Sequence, residues 1–140
     1  MTTVFASAID GVMVSDSRCT SDSQWFPMTK VHRIGKELVG IAGTIKDAST
    51  WLEWYSGGKK GARPKLEGYT AIILRADGVF EVAGDSFEQR IERGFHGIGS
   101  GGGYAVAASM AGADPEKAVR IACDIDANSG GDVVVHTLKP

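Results

Sequence analysis

The sequence predicts a layered α+β domain, in which two largely antiparallel sheets pack together and helices cover their outer faces. Three pairs of β-rich segments are each joined by a short turn that contains glycine, which is typical of β-hairpins. Segments with helical signals interrupt these pairs, so that the order along the chain is strands, helix, strands, two helices, strand. This order favours packed sheets with helices outside them.

Each predicted hairpin consists of two strands joined by a two-residue turn. The hairpins are residues 3–9 and 12–17 around Asp10-Gly11, residues 31–34 and 37–41 around Gly35-Lys36, and residues 69–75 and 79–82 around Asp77-Gly78. Residues 132–138 are predicted to form the last strand. Because consecutive strands joined by tight turns run in opposite directions, the sheets are expected to be antiparallel.

The first predicted helix covers residues 47–55. Its apolar residues recur at i, i+3, i+4 and i+7, and they are Ala48, Trp51, Leu52 and Tyr55. Gly57-Gly58 then ends the helix, as glycine does at many helix C-termini. A polar loop over residues 59–68 follows.

Two further helices are predicted near the end of the chain. Residues 103–111 form a helix of small side chains that follows a glycine cluster. Asp114-Pro115 begins the next helix, because aspartate caps helix N-termini and proline fits the first turn. The apolar stripe of this helix is predicted to be Ala118, Ile121, Ala122 and Ile125.

Composition limits the classes of protein that the chain can represent. Its 140 residues suit one domain over residues 1–140, and a hydrophobic fraction of 43% allows a substantial core. A net charge of -2 with scattered basic residues argues against a nucleic-acid partner. Cys19 and Cys123 are too few for a disulfide scaffold. With neither a signal peptide nor a membrane span visible, we expect a soluble cytoplasmic protein without a membrane partner, cofactor or metal.

The opening Met-Thr-Thr indicates a specific chemistry. A small residue after the initiator methionine normally permits removal of Met1, which would expose the α-amine of Thr2. A threonine hydroxyl is a weak nucleophile unless a base lies next to it. An N-terminal threonine carries that base in its own amine, whose pKa is ordinarily about 7.7–8.0. Retention of Met1 would block this mechanism.

Five separated segments extend this indication over nearly the whole chain. They are Thr2-Thr3-Val4 with residues 11–18, Lys30-Val31, Ile41-Ala42-Gly43 with Asp47-Ala48, residues 97–102 with Tyr104-Ala105, and residues 126–131. In this order they resemble the proteasome β-subunits and the HslV protease, which are N-terminal threonine (Ntn) hydrolases. The resemblance implies a four-layer αββα sandwich. One helical layer is expected to be reduced, because residues 59–68 are too few and too rich in glycine for the family's second long helix.

The resemblance also implies roles for individual residues. Thr2 would be the nucleophile, Lys30 would favour its deprotonation, Asp16 would hold Lys30, and Gly43 would donate its backbone N–H to the oxyanion. Hydrogen bonds around the amine and hydroxyl of Thr2 would come from Ser100, Asp126 and Ser129. Structural alternatives remain open for each: a surface lysine, a turn aspartate, a strand-end glycine, and capping by the other three.

By the same resemblance, six side chains would line the first specificity pocket, namely Cys19, Met28, His32, Ile41, Ile45 and Ser49. This set is mostly apolar and has no charged floor, which suggests cleavage after small or medium hydrophobic residues. Ile41 and Ile45 could equally be core residues. His96 and His136 are interpreted as ordinary strand residues, because they are not spaced as metal ligands.

The implied function is that of a threonine-type endopeptidase acting on protein or peptide substrates in a self-compartmentalised homo-oligomeric ring, with an ATP-dependent unfoldase as a candidate partner. A shortened helical layer would leave Trp51, Trp54 and Tyr55 in need of cover, which favours self-association. Two alternatives remain: a small-molecule amidase and a non-catalytic assembly or scaffold protein, each on the same fold.

Overall fold

The computed structural model describes residues 2–140, so the predicted removal of Met1 concerns a position outside the described residues. The strands and helices in chain order are β1 (Val4–Ser7), β2 (Val12–Ser15), β3 (Arg18–Ser21), β4 (Gln24–Pro27), β5 (Val31–Ile34), β6 (Glu37–Gly43), α1 (Ile45–Ser56), β7 (Tyr69–Arg75), β8 (Gly78–Ala83), β9 (Gln89–Arg90), β10 (Phe95–Ile98), α2 (Gly102–Met110), α3 (Pro115–Ile125) and β11 (Val134–Thr137).

Two antiparallel sheets form the centre of the molecule. One has the strand order β10-β1-β2-β11 and the other has the order β5-β6-β7-β8-β9. In the first sheet Val4 of β1 lies opposite Ser15 of β2 on one side and Ile98 of β10 on the other. The three predicted hairpins therefore form, as β1-β2, β5-β6 and β7-β8.

One hairpin was not predicted from the sequence. Strands β3 and β4 pair only with each other and stand apart from both large sheets. Their turn contains no glycine, and Asp22 adopts the left-handed conformation there with φ 54°. Aspartate tolerates this conformation better than most residues, so the usual glycine signal for a hairpin is missing.

The two large sheets pack face to face over an apolar core. This core consists of buried side chains from both sheets, which are Val4, Ala6, Met13, Val31, Leu38, Ala42, Ile72, Leu74, Val79 and Ile98. Alternate residues of each strand face this layer, because side chains in a strand point to opposite sides in turn. The remaining buried residues of the same strands face outward, toward the helices.

Helices cover both outer faces, which gives the four αββα layers that the resemblance implied. Helix α1 packs on the five-stranded sheet, while α2 and α3 pack on the four-stranded sheet. One layer thus has a single helix, and the expectation of a reduced helical layer is confirmed. No helix within residues 2–140 is both long and apolar enough to cross a membrane.

Helix α1 buries its aromatic residues within the chain. Thr44 caps the helix by accepting the Asp47 N–H at 3.3 Å. Trp51 is only 1% exposed, and its ring stacks on Tyr55 and Tyr69 with centroid distances of 4.8 and 5.5 Å. The expectation that Trp51 and Tyr55 need cover from another copy is therefore wrong, because both are buried within the chain. Trp51 stacks on Tyr69 of β7, and Tyr55 stacks on Trp51.

Helix α3 begins as predicted but turns a different face inward. Asp114 caps it by accepting the Lys117 N–H at 2.8 Å. Its buried residues are Ala118, Val119 and Ala122. The predicted stripe is wrong at Ile125, which is 56% exposed, and Ile121 is only half-buried. The small Ala118 and Ala122 let α3 approach the sheet closely, and the neighbouring Val119 fills the contact.

We predict that Trp51→Ala lowers the free energy of unfolding by about 3–5 kcal/mol, because truncating a fully buried tryptophan leaves a cavity between α1 and the sheet. Trp25→Ala is the matched control, since Trp25 is 54% exposed. Its cost is expected to stay below about 1 kcal/mol. Urea denaturation of both variants measures the difference, and equal losses would contradict the assigned core.

Candidate active site

The predicted site residues lie where strands and helices begin or end. Thr2 precedes β1, Asp16 follows β2, Lys30 precedes β5, and Gly43 ends β6, while Ser100 precedes α2 and both Asp126 and Ser129 follow α3. Because β1, β2 and β10 are antiparallel, the start of β1 lies beside the ends of β2 and β10. Residues far apart in the sequence therefore meet at one end of the sandwich.

Lys30 and Asp16 form a buried ion pair. The Lys30 Nζ atom lies 2.8 Å from Asp16 Oδ1, and the two side chains are 3% and 0% exposed. Lys30 also donates to the backbone oxygen of Arg18 at 2.6 Å. Lys30 is therefore a buried residue and not a surface lysine.

Asp16 also caps backbone N–H groups. Its Oδ1 atom accepts the Thr3 N–H at 3.0 Å, and its Oδ2 atom accepts the Gly130 N–H at 3.0 Å. The two interpretations of Asp16, as a capping residue and as the partner of Lys30, thus hold together. The carboxylate joins the start of β1, the end of β2 and the loop after α3.

A second cluster surrounds the Thr2 nitrogen. Thr2 N donates to Ser100 Oγ at 3.2 Å, and Ser100 Oγ donates to Asp126 Oδ2 at 2.6 Å. Asp126 Oδ2 also accepts from Ser129 Oγ at 2.7 Å. The structure therefore brings Ser100, Asp126 and Ser129 together beside Thr2.

The carboxyl group of Asp126 is held in its ionised form. Burial alone would raise its pKa, but hydrogen bonds from Ser100, Ser129 and the Asn128 N–H outweigh this effect, so the pKa is lowered from its ordinary value of 3.8. An ionised Asp126 can only accept hydrogen bonds. Both serine hydroxyl groups must then point their protons at it.

Glycines allow the backbone to approach closely at two places. Gly99 has φ +85°, and a Cβ atom there would lie 2.1 Å from the Thr2 carbonyl oxygen. Gly43 has φ +113°, and a Cβ atom there would lie 2.2 Å from the Gly68 oxygen. Each position requires glycine for both its backbone conformation and its space.

A cleft of about 260 Å³ opens beside Thr2 and Lys30. Of the six predicted pocket residues, four line it, namely Cys19, Met28, Ile41 and Ile45. Gly43 also lines the cleft, as do Arg18, Thr20, Ala42, Thr44 and Ala48, which were not predicted. Its walls are largely apolar.

The structure places the other two predicted pocket residues, His32 and Ser49, outside this lining. Ala48 of α1 faces the cleft, and the next helical residue points about 100° away, so Ser49 is exposed. Two residues of extended chain separate His32 from Lys30, which carries His32 about 7 Å along β5. The structure therefore does not bring these two residues together with the other four.

Thr3 is a further residue at this site for which the sequence indicated no role. Its hydroxyl oxygen lies 2.7 Å from Ser129 Oγ, and the residue is fully buried. The only sequence signal was a polar side chain at the start of a strand whose other residues are buried. Such a residue must find a hydrogen-bond partner inside the protein.

The four layers and the antiparallel topology define the Ntn-hydrolase fold, with the predicted threonine, lysine and aspartate at one end of it. No protein-family model matches the chain. Among solved structures, it is similar to eukaryotic HslV from Trypanosoma brucei, with 26% identity and a TM-score of 0.78 over 96% of this chain and 97% of that one.

BPH from Thiobacillus denitrificans has the same fold. In its complex with epoxomicin it is 21% identical with a TM-score of 0.69, over 99% of this chain and 100% of that one. A second BPH structure is 20% identical with a TM-score of 0.66, over 99% and 98% of the two chains. The predicted resemblance and fold are thereby confirmed.

We predict that the stabilising effect of Asp126 is lost in acid. Its folded pKa lies below the ordinary value of 3.8, so its contribution is present above that value and disappears as pH falls through the folded pKa. Wild type should exceed Asp126→Asn in unfolding free energy at pH 6, and the gap should narrow below about pH 4.

Urea denaturation at pH 6 and pH 3 measures the gap. Asp124→Asn removes the same charge at an exposed position nearby and should differ little from wild type at both pH values. A gap for Asp126→Asn that stays constant between the two pH values would contradict the lowered pKa.

Proposed function

We propose that the chain is a threonine-type endopeptidase, whose nucleophile is Thr2 once Thr2 is the first residue. One observation carries the proposal: Thr2 and the buried Lys30 line the same apolar cleft. The likeness to HslV supports the hydrolase fold, and the roles of the individual residues are part of the proposal.

In the proposed reaction, Thr2 Oγ attacks the carbonyl carbon of a peptide bond. The α-amine accepts the hydroxyl proton through a water molecule, and later returns it to the leaving amine. The C–N bond breaks, an ester to Thr2 remains, and a second water hydrolyses that ester. The Gly43 N–H would stabilise the oxyanion, a contribution of about 3–4 kcal/mol for one such donor.

Lys30 supplies positive charge beside the nucleophile. A nearby ammonium group favours deprotonation of a hydroxyl group and of an amine. Its charge acts strongly because the side chain is only 3% exposed, where water screens it little. Asp16 holds the ammonium in place by its 2.8 Å contact.

The cleft favours an apolar substrate side chain. Its walls include Met28, Ile41, Ile45 and Ala48, and its volume of about 260 Å³ has room for one apolar side chain. The cleft also has polar lining residues, including Arg18 and Thr20, but most of its accessible surface is apolar. An apolar side chain is favoured there because it leaves water. We therefore propose cleavage after hydrophobic residues, and small or medium size stays a prediction from the resemblance.

A homo-oligomer is part of the same proposal. Tyr104, Met110 and Ile125 on α2 and α3 are 45%, 65% and 56% exposed, which leaves apolar surface on the layer of paired helices. The ring arrangement and the ATP-dependent unfoldase remain predictions from the resemblance. Light scattering after gel filtration measures the assembly state.

We predict that epoxomicin, which BPH holds in its solved complex, forms a covalent adduct with this protein. An epoxyketone can bond to both the hydroxyl and the amine of an N-terminal threonine, so the adduct requires that Met1 is absent. Mass spectrometry of the intact protein detects the adduct, and mass spectrometry of its N-terminal peptide shows whether Met1 is absent. Thr2→Ser should react and Thr2→Ala should not.

The same assay separates the proposal from its alternatives. A folded protein that begins with Thr2 but forms no adduct and cleaves no fluorogenic peptide would overturn the endopeptidase proposal and favour a scaffold. Hydrolysis of small acyl amides without hydrolysis of peptides would favour an amidase.

We predict that Lys30→Ala abolishes adduct formation, because the ammonium that activates Thr2 is gone. This variant leaves the Asp16 carboxylate buried without its counter-ion, which can cost about 3–5 kcal/mol. The double variant Asp16→Asn/Lys30→Met removes both charges, so it leaves no unpaired charge buried and is expected to be more stable than Lys30→Ala. Unchanged labelling in either variant, if circular dichroism shows it folded, would refute the role of Lys30.

A further inference from the structure

The hydroxyl group of Thr3 occupies one end of a series of hydrogen bonds, which is buried from Thr3 to Asp126 and only partly buried at Ser100. Thr3 Oγ1 lies 2.7 Å from Ser129 Oγ, which lies 2.7 Å from Asp126 Oδ2. The same carboxylate oxygen lies 2.6 Å from Ser100 Oγ, which accepts from the Thr2 nitrogen at 3.2 Å. These hydrogen bonds thus connect the side chain of Thr3 to the nitrogen of Thr2.

Proton counting fixes the direction of each bond. An ionised Asp126 has no proton to give, so Ser129 and Ser100 each donate their single hydroxyl proton to it. Ser129 Oγ has then no proton left for Thr3, and the Thr3 hydroxyl must be the donor in their contact. Ser100 Oγ likewise accepts from the Thr2 nitrogen. On both sides of Asp126, every hydrogen bond of the series is therefore donated in the direction of its carboxylate.

The position of the Thr3 hydroxyl is tightly constrained. The Thr3 N–H donates to Asp16 Oδ1 at 3.0 Å, and the Thr3 oxygen accepts the Asp16 N–H at 3.1 Å. A Cβ atom on Gly101 would lie only 1.8 Å from Thr3 Oγ1. Gly101 therefore has no side chain at the point where the Thr3 hydroxyl lies against the loop.

We propose that Thr3 is a positioning residue for the Thr2 amine, an inference that rests on the proposed function. Donation from Thr3 prevents the Ser129 hydroxyl from rotating away from Asp126. Asp126 and Ser100 are then held in one arrangement, and one N–H of the Thr2 amine is directed at Ser100. This fixes rotation about the Cα–N bond, so that the amine lone pair stays available to the Thr2 hydroxyl.

The test compares Thr3→Val with Thr3→Ser. Valine keeps the shape of threonine but lacks the donor, whereas serine keeps the donor. For cleavage of a fluorogenic peptide we expect Thr3→Val to lower kcat by about 10- to 100-fold, because small errors in orientation cost this much. KM should change by less than about twofold, since Thr3 does not touch the substrate, and Thr3→Ser should recover most of kcat.

Ser7→Ala is the control for a merely structural effect. Ser7 lies on the same strand β1, is 2% exposed, and donates to Asp10 Oδ2 at 2.8 Å. It should lower Tm without changing kcat. A Thr3→Val protein with wild-type kcat, or a Thr3→Ser protein as slow as Thr3→Val, would overturn the role of Thr3 while Thr2 remains the nucleophile. Wild type with no activity toward peptides or epoxomicin would overturn the proposed function, and this inference with it.

Discussion

The buried ion pair between Lys30 and Asp16 is the contact on which the rest of the site depends. Removing two charges from water is costly, and a buried pair often stabilises a protein no more than apolar residues of the same size would. The pair here is compensated by further hydrogen bonds, since Asp16 also accepts the N–H groups of Thr3 and Gly130. These bonds do more than satisfy a carboxylate. They place the start of β1, the end of β2 and the loop after α3 around one ammonium group, so the position of Thr2 follows from the same contact.

Asp126 forms a second centre that differs from the first in its chemistry. Asp16 is paired with a cation, whereas Asp126 is surrounded by the hydroxyl groups of Ser100 and Ser129 and by a backbone N–H. Hydrogen bonding lowers the pKa of Asp126 although burial opposes this. One carboxylate therefore holds a charge near the Thr2 side chain, and the other sets the direction of protons near the Thr2 nitrogen. In the reaction proposed above, Thr2 supplies both the nucleophile and the base, and each of these roles would draw on one of the two carboxylates.

Periodicity and turn residues in the sequence were sufficient for most of the fold, because hairpins and amphipathic helices are determined by local patterns. The glycine-containing turns of β1-β2, β5-β6 and β7-β8 predicted these hairpins, and Trp51 and Tyr55 marked the buried face of α1. The hairpin β3-β4 was not predicted, because its turn has Asp22 where the other hairpins have glycine. The hydrogen bond of Thr3 was not predicted for another reason. A hydrogen bond across 126 positions depends on where the glycine loop and the α3 loop meet, and no local pattern encodes that distance.

The shortened helical layer is also connected to the site. Residues 59–68 connect α1 to β7 without a helix. Arg63 fixes this segment to the sheet by donating to the Tyr69 hydroxyl and to the oxygens of Gly84 and Ser86. At the end of the segment, the Gly68 oxygen accepts the Thr44 N–H at 2.9 Å, and the Gly68 N–H donates to Asp47 Oδ2 at 2.9 Å. Gly43 lies directly against Gly68, so the connecting loop also holds the strand end whose N–H would stabilise the oxyanion in the proposed reaction. A single helix in this layer is therefore compatible with an intact cleft wall, because the contact between Gly43 and Gly68 requires only the last residue of the connecting segment.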